Sequence, residues 1–203
     1  TMDQASMDLI VSTINSYKPA DRFVPTYNSY AATVYNTLNA GDLTWYVEGA
    51  LKSREAVSTD AGLQNVSGNV LYTTLGYARS KWGVNVSVKR TENFMMRTSP
   101  NEQLIRGLYN WQPIIAQIRP QRLIARYTPP SQDLSEIAST VNTFITPNEN
   151  MSFNVSYTHI NSLKGDTLYR EVLVDAEIRS IEKFIFHVGA QYLVYNQSLY
   201  QQK

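Results

Sequence analysis

"MSFNVSYTH" (residues 151–159) decides how this chain is read. Met151, Phe153, Val155 and Tyr157 hold the odd positions, and Ser152, Asn154, Ser156 and Thr158 the even ones. A period of two puts successive side chains on opposite faces of a strand, one apolar and one polar. The fold then depends on what the apolar face meets: a dry protein interior or lipid.

The same alternation recurs along the chain. "NSYAATVYNTL" (28–38) reaches "NAGD" (39–42), a hairpin signal, and returns as "LTWYVEGALKSRE" (43–55). A polar, glycine-containing stretch (56–68) reads as a loop. "NVLYTTLGYA" (69–78) then turns at "RSKW" (79–82) into "GVNVSVKRTE" (83–92). In the second half "EIASTVNTFI" (136–145) turns at "TPNEN" (146–150) into the opening stretch. After a loop (160–167), "LYREVLVDAEIR" (168–179) turns at "SIEK" (180–183) into "FIFHVGAQYLVYNQ" (184–197). These are eight strands in four hairpins, with a partial ninth at "MDLIVSTI" (7–14).

Most of these runs are ~10 to 13 residues, against a usual ~5 to 6. About ten residues at a 45° tilt cross a membrane. Short turns fall at one end (39–42, 79–82, 146–150, 180–183). Longer loops fall at the other (15–27, 56–68, 93–133, 160–167), which is the transmembrane barrel arrangement with its long loops outside the cell. The expected fold is all-β: an antiparallel transmembrane β-barrel, or part of one, with eight to ten strands and residues 1–203 as a single domain.

Composition is consistent with this. The 203 residues carry a net charge of +1, which points away from nucleic acid, and 17% charged residues, below the usual quarter. Tyr 14, Phe 6 and Trp 3 make a heavy aromatic load, and Cys is absent, which removes disulfides and thiolate chemistry. No run of 18 apolar residues offers a transmembrane helix. The start, "TMDQASMDLIVS", has no basic region of a signal peptide.

In a membrane barrel the polar parity lines the lumen, which selects Glu48, Lys52, Lys89, Glu171, Asp175, Glu177, Arg179 and His187. Aromatics near strand ends are expected at the membrane interface: Trp45, Trp82, Tyr157, Phe184 and Tyr192, with Phe153, Tyr169 and Tyr195 in the same group. A soluble lipocalin-like barrel reverses the two faces, and alternation alone does not separate them. Residues 93–133 break the pattern. They carry five prolines and Arg97, Arg106, Arg119, Arg122 and Arg126. One reading is an extracellular or lumen-inserted loop whose arginines, Arg106, Arg119, Arg122 and Arg126 foremost, form a constriction. The other is one more strand pair within 103–126.

Catalytic signals are thin. Ser156 has lumen parity and His159 the opposite one, so the two do not meet within one strand as a nucleophile and its base must. His187 is the histidine a barrel hydrolase would use. Asp175 and Glu177 share a face, which fits a hydrated wall or a cation site. No phosphate loop, zinc spacing or EF-hand occurs, and no metal or cofactor is expected.

At "QPIIAQIRPQRLIARYTPPSQDLSEIA" (112–138) and "SFNVSYTHINSLKGDTLYREVLVDAEIR" (152–179) the sequence resembles an uncharacterised outer-membrane β-barrel family of Bacteroidota. The resemblance implies a Gram-negative outer membrane, lipid and lipopolysaccharide as surroundings, and members longer than 203 residues, so that this chain is a portion of a larger barrel. It carries no site residues across. Three functions remain open: an outer-membrane barrel, as a porin-like passive transport pore or a structural subunit beside other outer-membrane subunits; a soluble lipocalin-like binder; and an outer-membrane hydrolase.

Overall fold

The computed structural model describes residues 30–59, 62–94, 135–181 and 183–198. They form one eight-stranded antiparallel sheet in which every strand pairs with its sequence neighbours: β1 (Ala31–Ala40), β2 (Leu43–Thr59), β3 (Gly62–Arg79), β4 (Trp82–Glu92), β5 (Glu136–Asn148), β6 (Met151–Ser162), β7 (Thr167–Ile181) and β8 (Phe184–Tyr195). No helix among the described residues is long and apolar enough to cross a membrane. The suggested strand at 7–14 and nearly all of 93–133 lie outside the described residues.

The eight expected strands are found, with one correction. Residues 56–68 are not a loop. β2 runs on to Thr59 and β3 starts at Gly62, with Glu55 paired to Val66 and Thr59 to Gly62. The stretch 56–68 keeps its backbone ladder, but its sequence carries no clean alternation and so reads as a loop. A bulge between Lys52 and Glu55 also shifts the parity by one. The one-sided loop lengths are correspondingly weaker than expected. The connection 160–167 likewise shrinks to four residues, 163–166, with Gly165 at φ +100°.

The tight turns follow from local chemistry. Gly41 takes φ +61° between β1 and β2, where an L side chain is strained. The turn between β5 and β6 is held by Asn148 Oδ1, which accepts from the Asn150 backbone N–H at 3.0 Å.

Register produces the two faces. One row crosses the sheet as Leu38, Trp45, Leu75, Val86, Val141, Tyr157, Val172 and Tyr192, and the next as Ala40, Leu43, Tyr77, Val84, Thr143, Val155, Val174 and Ala190. The opposite face carries Thr37, Tyr46, Thr74, Ser87, Thr140, Thr158, Glu171 and Leu193 in one row. A neighbouring row on that polar face runs from Tyr35 through Glu48, Tyr72, Lys89, Ala138, Ile160 and Tyr169 to Tyr195.

That last row also measures the stagger. Five residues separate Tyr35 from Ala40 at the tight-turn end of β1, and eleven separate Tyr195 from Phe184 at the tight-turn end of β8. The level of the turns thus drifts by about one residue per strand. With ~3.4 Å per residue and ~4.8 Å between strands, the tilt is roughly 35°, at the lower end of the range that barrels use. The sheet is staggered as a barrel wall is, but it is not closed, because β1 and β8 do not pair.

Candidate functional site: a covered polar wall behind an exposed apolar wall

Alternation puts charges on one face of the sheet, and burial concentrates there. Lys52, Glu55, Lys89, Glu136 and Glu171 are all buried, as are Ser87, Thr91, Thr140, Ser156 and Thr158. Among the described residues the buried apolar ones are few, and Ala138, Ile160, Leu168 and Tyr169 form a cluster, with Leu193 and Tyr195 packed against it. The covered face is therefore chiefly polar.

Buried charges persist where partners compensate them. Lys52 Nζ lies 2.6 Å from Glu55 Oε1, the bulge bringing both side chains to one face. Lys89 Nζ lies 2.9 Å from Glu136 Oε1 across the β4–β5 seam. Around that pair, Thr91 Oγ1 accepts from the Glu136 N–H at 3.4 Å, and Ser135 Oγ accepts from the Asn93 N–H at 3.1 Å. Asn93 and Ser135, which flank the long connection, both take positive φ, 49° and 55°. The root of that connection is thus fixed by hydrogen bonds and an ion pair. Gly68 closes against it: a Cβ there would overlap the Asn93 carbonyl and touch Lys52 Cε.

Glu171 accepts from Tyr169 Oη at 3.0 Å and from Gln191 Nε2. Glu48, half-buried, accepts from Thr33 Oγ1 and from Tyr46 Oη, each at 2.7 Å, beside the rings of Tyr35 and Tyr72. Hydroxyls and amides continue the wall: Thr74 Oγ1 donates to Asn85 Oδ1 at 2.6 Å, Ser87 Oγ donates to Thr74 Oγ1 at 2.9 Å, and the Thr140 and Thr158 hydroxyls lie 3.1 Å apart. At the tight-turn end Glu177 contacts Arg179 and lies 3.7 Å from His187 Nδ1. Both of those partners are exposed.

The eight charged residues expected on the lumen side thus share one face but not one site. Lys52, Lys89 and Glu171 are buried and widely spaced, Glu48 and Asp175 are half-buried, and Glu177, Arg179 and His187 cluster at the rim. Arg106, Arg119, Arg122 and Arg126 lie outside the described residues. Among the described residues no three His, Cys, Asp or Glu side chains gather to hold a metal. Ser156 is buried on the polar wall. His159 stands on the other face, its Nδ1 3.2 Å from Tyr157 Oη and its Nε2 2.8 Å from Asn161 Oδ1. The amide oxygen of Asn161 accepts from Nε2, and the Tyr157 hydroxyl pairs with Nδ1.

Sequence reasoning missed Glu136 and Glu55. Glu136 shares parity with Ala138, Thr140 and Asn142, so continuing the alternation one step would have found it. Glu55 sits beyond a bulge that no residue type announces.

The apolar wall is the uncovered one. Trp45, Trp82, Tyr157, Phe184 and Tyr192 all stand on it and are all exposed, together with Val34, Leu38, Leu75, Val141, Val155 and Val174. Two of the aromatics grouped with them do not. Tyr169 is buried on the polar wall, bonded to Glu171, and Tyr195 is its cross-strand partner there. Their odd positions place them with Glu171 and Leu173, and register overrides their nearness to a strand end. On the apolar face of β4, Arg90 stands between Leu71 and Ile137, and the Glu92 carboxyl accepts from Arg90 Nη2 at 2.9 Å and Asn69 Nδ2 at 3.2 Å.

A family model matches residues 2–203, nearly the whole chain: DUF6029, a family of unknown function. The chain belongs to the DUF6029 family. No curated protein and no solved structure matches it. The match extends well beyond residues 112–179, where the barrel resemblance is concentrated, and the family description assigns this DUF6029 chain no activity.

Proposed function

We propose that this chain forms part of the wall of an integral outer-membrane β-barrel and serves as a structural subunit of an outer-membrane assembly. One observation carries the reading: across all eight strands large apolar side chains are exposed on one face, while the buried charges Lys52, Glu55, Lys89, Glu136 and Glu171 lie on the other. A soluble lipocalin-like barrel needs the opposite arrangement. An exposed apolar surface of this extent marks a surface meant for lipid or for another protein; the charges that share it, Arg90 with Glu92 and Arg170, lie toward the end away from the tight turns. On β8 the apolar positions run from Phe184 to Val194. At ~3.4 Å per residue and the tilt above they span roughly 28 Å, close to the ~25 Å apolar band of such barrels. The Bacteroidota resemblance supports a Gram-negative outer membrane, with lipid and lipopolysaccharide against the apolar wall.

The covered polar face of β4–β7 favours a packed interior over an open channel, and therefore a structural role over a porin-like one. The test is extraction followed by recording. The protein should resist alkaline carbonate and require detergent, and should give no steady conductance in a planar bilayer, intact or lacking residues 97–128. Release into water without detergent overturns the membrane reading. Steady conductance of the intact chain replaces the structural role with a pore, and conductance only after the deletion makes that connection a plug.

A further inference from the structure

We propose that the polar face of β1–β3 carries a binding site for a small organic cation, an alkylammonium group held over the Glu48 carboxylate among three tyrosine rings. The site goes beyond the structural role and does not depend on what the apolar wall meets.

Register builds it. Glu48 on β2 has Tyr35 of β1 as its cross-strand partner on one side and Tyr72 of β3 on the other. Tyr46 lies two residues back along β2, so its side chain shares the face. The Tyr46 ring centroid is 6.4 Å from that of Tyr35 and 6.1 Å from that of Tyr72, with the planes inclined by 32° and 58°. A carboxylate thus stands with phenol rings on three sides.

That carboxylate lacks a counter-charge. Its hydrogen bonds come from two neutral groups, Thr33 Oγ1 and Tyr46 Oη, each at 2.7 Å. No basic side chain among the described residues pairs with it. Two buried acids of the same face do have one: Glu55 has Lys52 at 2.6 Å, and Glu136 has Lys89 at 2.9 Å. Those lysines are therefore committed. Each oxygen of Glu48 keeps a lone pair for a ligand. Glu48, Tyr46 and Tyr72 are half-buried and Tyr35 is exposed, so the charge is open to solution.

The chemistry selects the ligand. Tyrosine ring faces are negative and attract a cation as the carboxylate does, and alkylated ammonium groups are what such aromatic cages recognise. A calcium ion takes about six to eight oxygen ligands, and among the described residues no three His, Cys, Asp or Glu side chains gather to supply them. A neutral sugar would leave the Glu48 charge uncompensated.

Titration calorimetry on the full chain in non-ionic detergent tests the site. Choline is the probe. Its uncharged carbon analogue, dimethylbutanol, controls for shape, and glucose controls for sugar binding. Choline should bind once per chain, more weakly as salt rises, and the two controls should not bind. Glu48→Gln keeps the size, removes the charge and should lower choline affinity about tenfold. Tyr35→Leu should lower it about two- to thirtyfold, the worth of one cation–π contact, while Tyr35→Phe should leave it unchanged. Tyr35 is exposed, so this second pair decides the matter if circular dichroism shows that Glu48→Gln does not fold. The proposal is overturned by the absence of saturable choline binding, by equal binding of dimethylbutanol, or by a preference for glucose. It is overturned equally by full choline affinity in folded Glu48→Gln, or by the same loss in Tyr35→Phe as in Tyr35→Leu.

Discussion

Val155→Arg tests the orientation of the sheet most directly. Val155 lies on the apolar wall of β6, between Thr143 on β5 and Val174 on β7, and is exposed. If that face meets water, an arginine there is a surface substitution worth within ±0.5 kcal/mol. If it meets acyl chains near mid-bilayer, the cost is about 2–4 kcal/mol, and at ~1.36 kcal/mol per decade the folded-to-unfolded ratio falls roughly 30- to 900-fold. His159 supplies the depth control. It lies four residues further along the same strand and face, about 11 Å higher at the tilt above, where Tyr157 and Asn161 already hydrogen-bond its ring. His159→Arg should therefore cost only ~0–1 kcal/mol. The assay is reversible urea unfolding from lipid vesicles, read by tryptophan fluorescence, with midpoint and slope fitted for each variant. Equal, near-zero effects at both positions would refute the lipid-facing assignment. A large cost at His159 with none at Val155 would refute the placing of the band along the strand.

Gly68→Ala should destabilise by about 1–3 kcal/mol in the same assay, because its Cβ meets the Asn93 carbonyl, which is backbone and cannot swing aside. Gly49→Ala, with open space around it, should cost less than Gly68→Ala. Tyr169→Phe removes a hydroxyl that donates to a buried carboxylate and should cost ~1.5–3 kcal/mol.

Where an apolar wall alternates with a polar one, the strands were legible in the sequence almost to the residue. "FNVSY" and "VNVSV" could not have been placed otherwise, and Val86, Val155 and Val174 stand on the exposed wall as their parity requires. Legibility failed in the far half of the β2–β3 hairpin, where residues 57–68 pair through their backbone but carry no clean alternation. It failed again at the Lys52–Glu55 bulge, where one extra residue reverses parity with no change in residue type. Of the polar wall, its charged members on the long strands were visible. Its ion pairs were not, because pairing depends on register across strands, and Glu136 lies 47 positions from Lys89 in the sequence.

The unequal strand lengths give this sheet a profile. β2 and β3, at 17 and 18 residues, outrun the 10 to 13 of β1, β4, β5, β6 and β8. At ~3.4 Å per residue and the stagger-derived tilt, β2 climbs roughly 47 Å, about 20 Å more than a ~25 Å apolar band requires. On the proposed membrane reading, a two-stranded blade would stand clear of the headgroups. A macromolecule that approached the described strands from that aqueous side would meet the blade before the shorter strands beside it.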